Sequence, residues 1–229
     1  MISLYRFPAH RLGVYAPSVG AGRTMPVGPL SVLSQSGAEA ALNGPMFEVC
    51  GDDCDVLDYL HYDPSRGVTA QGRYPSRGIT VYVLNGVPHA ARGRYAPDAS
   101  SAAVQLYPPL VWNGSDETNP SLNTAAEWRA ALCIMDDGNL AFAVGGPSSM
   151  TSFSRGLVEA GAVYAGYTDG GSSTSLVTPG GIDGSPRRSR VASWLVVNPS
   201  GLSGTLVASL GLGAAAAYWY YRRRRLRQK

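Results

Sequence analysis

Apolar side chains recur along this chain mostly in short runs with the two-residue alternation of strands. Residues 2–7 and 12–15 read as strands around a turn at Pro8 to Arg11. Residues 39–42 read as a strand delivering Asn43, and 162–167 as a buried strand ending at a polar turn. Residues 78–84, then Asn85-Gly86, then Val87 onward predict a hairpin, because Asn-Gly suits a type I′ turn. A second hairpin is predicted from 129–135 and 140–144 about Asp137-Gly138, and 191–197 reads as a closing strand. Two short helices are expected. One spans 31–37 behind Pro29; the other spans 153–160, with Thr151 as its cap and Gly161 as its stop. Residues 49–78, 94–128 and 178–189 show little periodicity and read as irregular excursions or loops. These elements predict an α+β domain over residues 1–198, with a mixed or antiparallel β-sheet core and a few short helices.

Beyond that domain the pattern changes. Residues 201–221 are uncharged, long enough to cross a bilayer as a helix, and end in Tyr218, Trp219, Tyr220 and Tyr221. The expectation is one C-terminal transmembrane helix, followed by a basic cytoplasmic tail over 222–229. This orientation makes the protein a single-pass membrane protein with residues 1–198 extracytoplasmic. The opening residues have no basic start followed by a long apolar core, so no signal peptide is visible. A start further upstream, another export route or an internal domain would each reconcile the two.

Charge changes the picture once the tail is set aside. The formal net charge is +3, but the tail holds six of the 19 basic residues, leaving 13 against 16 acidic ones. The basic excess is a tail property and gives no support for nucleic acid as a partner. Cys50 and Cys54 are close enough to pair if the backbone bends, and Cys133 reads as a small core residue.

The candidate chemistry centres on Tyr167 to Leu176, where the apolar strand runs into Asp169, Gly170, Gly171, Ser172, Ser173 and Thr174. A strand holds such a carboxylate rigidly, and glycines let a ligand approach the backbone. A turn-rich surface loop is the alternative reading. The run resembles the Asp-Gly-Gly-Gly-Ser-Ser-Thr signature of the phosphodiester glycosidases. Three further stretches resemble that family in the same order. Residues 40–48, with Asn43, Gly44, Pro45 and Met46, resemble its Asn-Gly-Gly-Phe-Phe element. Arg129 opens a strand before an Asp-Gly turn, and Arg190 precedes the last strand.

The resemblance implies hydrolysis of a sugar-1-phosphodiester on a surface glycan, polymer or glycolipid, with the membrane held through residues 201–221. It makes Asp169 the first catalytic candidate. Glu48 is the second carboxylate, since glycosidases commonly use two; a solvated loop acid is its alternative reading. Asn43, Gly44, Arg129, Gly170, Gly171, Ser173 and Arg190 are the substrate-binding candidates. A guanidinium fork suits phosphate, and surface ion pairs are the alternative for the arginines. Ser172 stands where the family has its third signature glycine; Pro45 and Met46 replace its second glycine and first Phe. A non-catalytic glycan- or phosphate-binding module on the same scaffold is the alternative function.

No cofactor is required for this chemistry. Glu48, Asp52, Asp53, Asp55 and Asp58 could offer oxygens to Ca²⁺, though their spacing fits no standard loop. Zinc-ligand spacing is missing. His10, His61 and His89 are scattered and read as turn or surface residues, and no Gly-x-Ser-x-Gly elbow is present.

Overall fold

Alternation along the strands divides the side chains between faces, and those faces organise the fold. The computed structural model describes residues 1–200 except 21, 22, 52, 53, 58, 67, 98, 99, 122 and 123. Its strands form four sheets. The first, in spatial order, joins Ile2–Phe7, Leu140–Ser148, Glu127–Met135, Ala162–Tyr167, Pro109–Trp112 and Ser115–Asp116. The second joins Val87–Arg92, Ile79–Leu84, Ser100–Leu106, His61–Asp63 and Val68–Ala70. The third joins Gly181–Gly184, Ser175–Thr178, Ala40–Asn43, Trp194–Val197 and Leu12–Tyr15. A smaller fourth sheet joins Ser18–Gly20, Arg23–Thr24, Cys54–Leu57 and Phe47–Gly51.

Three sheets share one core. Ala130, Leu132 and Ile134 from the first meet Val81, Val104 and Leu106 from the second, and Ala40, Leu42, Leu195 and Val197 from the third. The intervening residues point the other way. Ala131, Cys133 and Met135 pack under helix α2 (Met150–Glu159) with Phe153 and Leu157. Ala41, Trp194 and Val196 pack beside Val27 and Val32, the latter on helix α1 (Val32–Ser36). Strands buried on both faces carry continuous apolar runs, as 130–135 and 194–197 do. Burial pushes the Cys133 thiol up to about 12, so it stays protonated as a small core residue.

The α+β expectation is corrected. The structure is 48% strand and 13% helix, which makes it a predominantly antiparallel β fold with helices as small outer covers. Every pairing between described strands given a direction is antiparallel, as in Glu127–Met135 against both its neighbours. The expected C-terminal transmembrane helix over 201–221 and the tail over 222–229 lie outside the described residues. Among the described residues no helix is long and apolar enough to cross a membrane. The suggested Cys50–Cys54 pair and the acidic stretch from Asp52 to Asp58 fall on side chains outside those described. Among the described residues no cluster of His, Cys, Asp and Glu could hold a metal.

Local differences have local causes. Residues 47–70 contain several short strands, and Ser175–Thr178 with Gly181–Gly184 forms a hairpin where a loop was expected. Helix α2 is capped by Ser149, whose hydroxyl accepts from the Ser152 N–H at 3.2 Å, two residues before the expected Thr151.

The first and second sheets approach each other closely at Gly166, where an added Cβ would lie 2.4 Å from Leu106 Cβ. Gly166→Ala is expected to lower stability by about 1–3 kcal/mol through overpacking. A urea midpoint equal to wild type would show that this approach is looser than described.

Candidate functional site

The site is built where the third sheet receives a turn from the first. Asn43 ends the central strand Ala40–Asn43 and is fully buried. Its Nδ2 donates to the Asp169 carbonyl at 2.6 Å, with longer contacts of 3.4 Å to Thr168 Oγ1 and the Gly44 carbonyl. Its Oδ1 accepts from the Ser175 N–H at 3.0 Å. The Asp169 N–H donates to the Gly44 carbonyl at 2.9 Å, so both flanks of Asp169 are tied to Asn43-Gly44. The amide is thus spent on the protein itself, and Asn43 acts as a brace for the turn. Gly44 has no room for a side chain: an added Cβ would lie 2.1 Å from Ser193 Oγ.

From Asp169 the chain turns tightly. Gly171 takes the left-handed region at φ 60°, and residues Gly171–Ser173 form one 3-10 turn. Gly170 packs against Tyr167, where an added Cβ would lie 1.6 Å from the phenolic oxygen. Ser172 has no positive φ, so its replacement of a family glycine carries no left-handed strain. Asp169 Oδ1 accepts from the Gly170 N–H at 2.9 Å. Burial holds the Asp169 carboxyl above its ordinary value; hydrogen bonds from Ser173 and Gly170 oppose that, and the Glu127 carboxylate adds to it.

Arg129 lies beneath this turn. Its Nε donates to the Ser148 carbonyl at 3.1 Å, Nη2 to the Ala125 carbonyl at 2.8 Å and Nη1 to the Tyr167 hydroxyl at 3.2 Å. It is 1% exposed, so it acts as an internal cross-brace that fixes Tyr167. Its Nη1 also lies 3.4 Å from the exposed Glu127 carboxylate. Glu127, which sequence reasoning did not single out, is among the described residues the one other carboxylate whose charge adds to the raised proton affinity of Asp169. Its signal was its place two residues before Arg129 on the same strand.

Glu48 and Arg190 direct their charges to other partners. Glu48, on the fourth sheet, forms an exposed pair with Arg73 at 2.5 Å, and its charge is not among the causes that raise the Asp169 carboxyl. Arg190 directs Nε and Nη2 at the Pro26 carbonyl, at 3.0 and 2.6 Å, pinning the loop before Val27. Arg187 and Arg188 are exposed on the segment next to the turn, where the Ser189 N–H donates to the Ser172 carbonyl at 3.1 Å.

His61, read from sequence as a turn or surface residue, is fully buried. Its Nδ1 lies 2.9 Å from the Tyr59 carbonyl and its Nε2 2.8 Å from Ser193 Oγ. A carbonyl only accepts, so Nδ1 carries the proton, and Nε2 accepts from the Ser193 hydroxyl. Burial lowers the imidazole from 6.5 to about 4.

Two outcomes follow from these bonds. Asn43→Ala would leave the Ser175 N–H and the Asp169 carbonyl without their partner, and should cost about 2–4 kcal/mol in urea unfolding; a loss within error would show that water replaces the amide. For His61, the unfolded chain takes up a proton below pH 6.5 that the folded chain refuses until about 4. Its contribution is therefore complete above pH 6.5 and is lost as pH falls toward 4, to a total of about 3 kcal/mol. Asp63 and Asp169, raised by burial, act in the opposite sense in any variant. Urea midpoints of wild type should therefore fall more steeply from pH 7 to 4.5 than those of His61→Gln. Parallel curves would show that His61 gains its proton equally in both states.

The geometry can be set beside known proteins. No curated protein matches the chain. A hypothetical protein from Synechocystis is similar in structure, with a TM-score of 0.56 and 14% identity over 86% of this chain. This chain spans only 58% of that protein's length. The catalytic domain of zebrafish N-acetylglucosamine-1-phosphodiester alpha-N-acetylglucosaminidase, in a form auto-inhibited by its pro-peptide, is similar with a TM-score of 0.64 and 13% identity. That match covers 87% of this chain and 83% of the zebrafish domain. At such identities these likenesses concern the fold. The family model for phosphodiester glycosidase matches residues 36–199, a span running from the end of helix α1 through Asn43, Arg129 and Asp169 to the closing strand, and the chain belongs to that family.

Proposed function

We propose that this chain hydrolyses a glycosyl–phosphate bond, releasing a free sugar from a sugar-1-phosphodiester on a glycan, polymer or glycolipid. Family membership supports the reaction class. The observation that carries the assignment to residues is Asp169: a partly buried carboxyl, held on both backbone flanks, with its proton affinity raised by burial.

The bond itself sets what is needed. A phosphate monoester is a good leaving group, so the demanding steps are delivering water to the anomeric carbon and stabilising its oxocarbenium-like transition state. A carboxylate with raised proton affinity suits the base that takes the proton from that water. Asp169 is assigned this role. Glu127, whose charge reaches Asp169, is assigned as the second carboxylate in place of Glu48. Its negative charge would stabilise the developing positive centre. The exposed Arg187 and Arg188 provide positive charge beside the turn for the phosphate.

Asp169→Asn keeps the size of the side chain and removes its basicity. Turnover on a panel of sugar-1-phosphodiesters should fall by about a thousandfold, with the substrate still bound. Equal turnover by both proteins would remove Asp169 from the chemistry. Saturable binding by both with no turnover by either would favour a glycan- or phosphate-binding module.

A further inference from the structure

Between His61 and Asp169 runs an unbroken series of close contacts that the proposed chemistry does not use. It starts in the second sheet, where the Tyr59 carbonyl fixes the His61 ring through Nδ1. The free Nε2 of the ring then fixes the Ser193 hydroxyl at 2.8 Å. Ser193 lies immediately before the closing strand Trp194–Val197, and its carbonyl accepts from the Gly44 N–H at 2.9 Å. Its hydroxyl also stands over Gly44, so close that no side chain fits between them. Gly44 in turn accepts from the Asp169 N–H at 2.9 Å. His61 and Ser193 are each at most 1% exposed, so bulk solvent does not reach their bond.

We propose that His61 and Ser193 are positioning residues for Asp169, acting through Gly44. The inference rests on the reading of Asp169 as the reacting carboxylate. The physical step is a steric one with a hydrogen bond behind it. His61 selects a single Ser193 rotamer; that rotamer and the Ser193 carbonyl set the height of the Gly44 peptide. The Gly44 carbonyl then sets where the Asp169 peptide lies. Reacting groups must be held to within a fraction of an ångström, so a remote loosening of this kind is felt as lost turnover. Neither side chain is required to touch substrate.

The test uses the full chain, with Ser193→Ala removing only the hydroxyl and His61→Gln removing the ring. Amide hydrogen exchange is followed at Asp169, with Leu132 in the core strand as reference. In either variant, protection at Asp169 should fall by about tenfold or more while Leu132 is unchanged. On any phosphodiester that wild type hydrolyses, kcat should fall by about tenfold to a hundredfold with KM within about twofold. Wild-type protection at Asp169 in both variants would overturn the proposal. So would an equal loss at Asp169 and Leu132, which is what a purely structural pair produces. If wild type hydrolyses nothing on the panel, yet protection falls selectively at Asp169, the functional reading fails and the positioning stands.

Discussion

A buried side-chain amide must find partners for its two N–H donors and its carbonyl oxygen, or destabilise the fold that buries it. At Asn43 the two shortest of those bonds, to the Asp169 carbonyl and from the Ser175 N–H, go to the turn from Thr168 to Ser175, with 3.4 Å contacts to Thr168 and to the adjacent Gly44 carbonyl. The constraint runs in both directions. The turn is the connection by which the chain leaves the first sheet at Tyr167 and enters the third at Ser175. Asn43 ends the strand that lies between Ser175–Thr178 and Trp194–Val197. One amide therefore ties the turn that joins two sheets to the central strand of the third, at the position that carries Asp169. Fold stability and site geometry depend on the same three groups.

This arrangement also decides which charges remain for chemistry. Arg129 carries a buried positive charge below the turn, but its nitrogens are engaged by two backbone carbonyls, the Tyr167 hydroxyl and the Glu127 carboxylate. A buried guanidinium so engaged would have to break internal bonds to meet a phosphate, leaving donors unpaired in a low-dielectric setting. Its contribution is to hold Tyr167, against which Gly170 packs without space for a methyl group. Arg190 is likewise committed, to the Pro26 carbonyl. The carboxyl of Asp169, by contrast, has only short local bonds from Gly170 and Ser173, and its raised proton affinity comes from burial.

The legibility of this molecule in its sequence follows the range of its interactions. The hairpin at Asn85-Gly86 was readable because its cause is local: both residues take positive φ, 52° and 78°, as a type I′ turn requires. The same dipeptide at Asn113-Gly114 takes φ of 51° and 72°, but its flanking strands are too short to show alternation. The tight turn after Asp169 was readable because glycines and hydroxyls follow it in sequence, and Gly171 takes the left-handed region there. The role of Asn43 was not, because its partners lie 126 and 132 residues away. His61 stayed hidden for the same reason: Ser193 lies 132 residues along the chain. The strand-rich class was understated because runs of three or four residues, such as His61–Asp63 and Val68–Ala70, carry almost no periodic signal.

The choice of a second carboxylate illustrates how geometry decides where residue type cannot. Glu48 and Glu127 are both exposed, each beside an arginine, and each near an element that resembles the family. They differ in the medium between them and Asp169. Glu127 lies on the strand that pairs with the one feeding the turn, and its field reaches Asp169 through partly buried protein, where screening is weak. Glu48 faces outward from the fourth sheet, and its charge is met at close range by Arg73. Glu127 has an arginine too, but at 3.4 Å against 2.5 Å for Glu48, so the looser pairing and the partly buried path leave more of its field. Two acids of one type, each near an element that resembles the family, thus separate by what each faces.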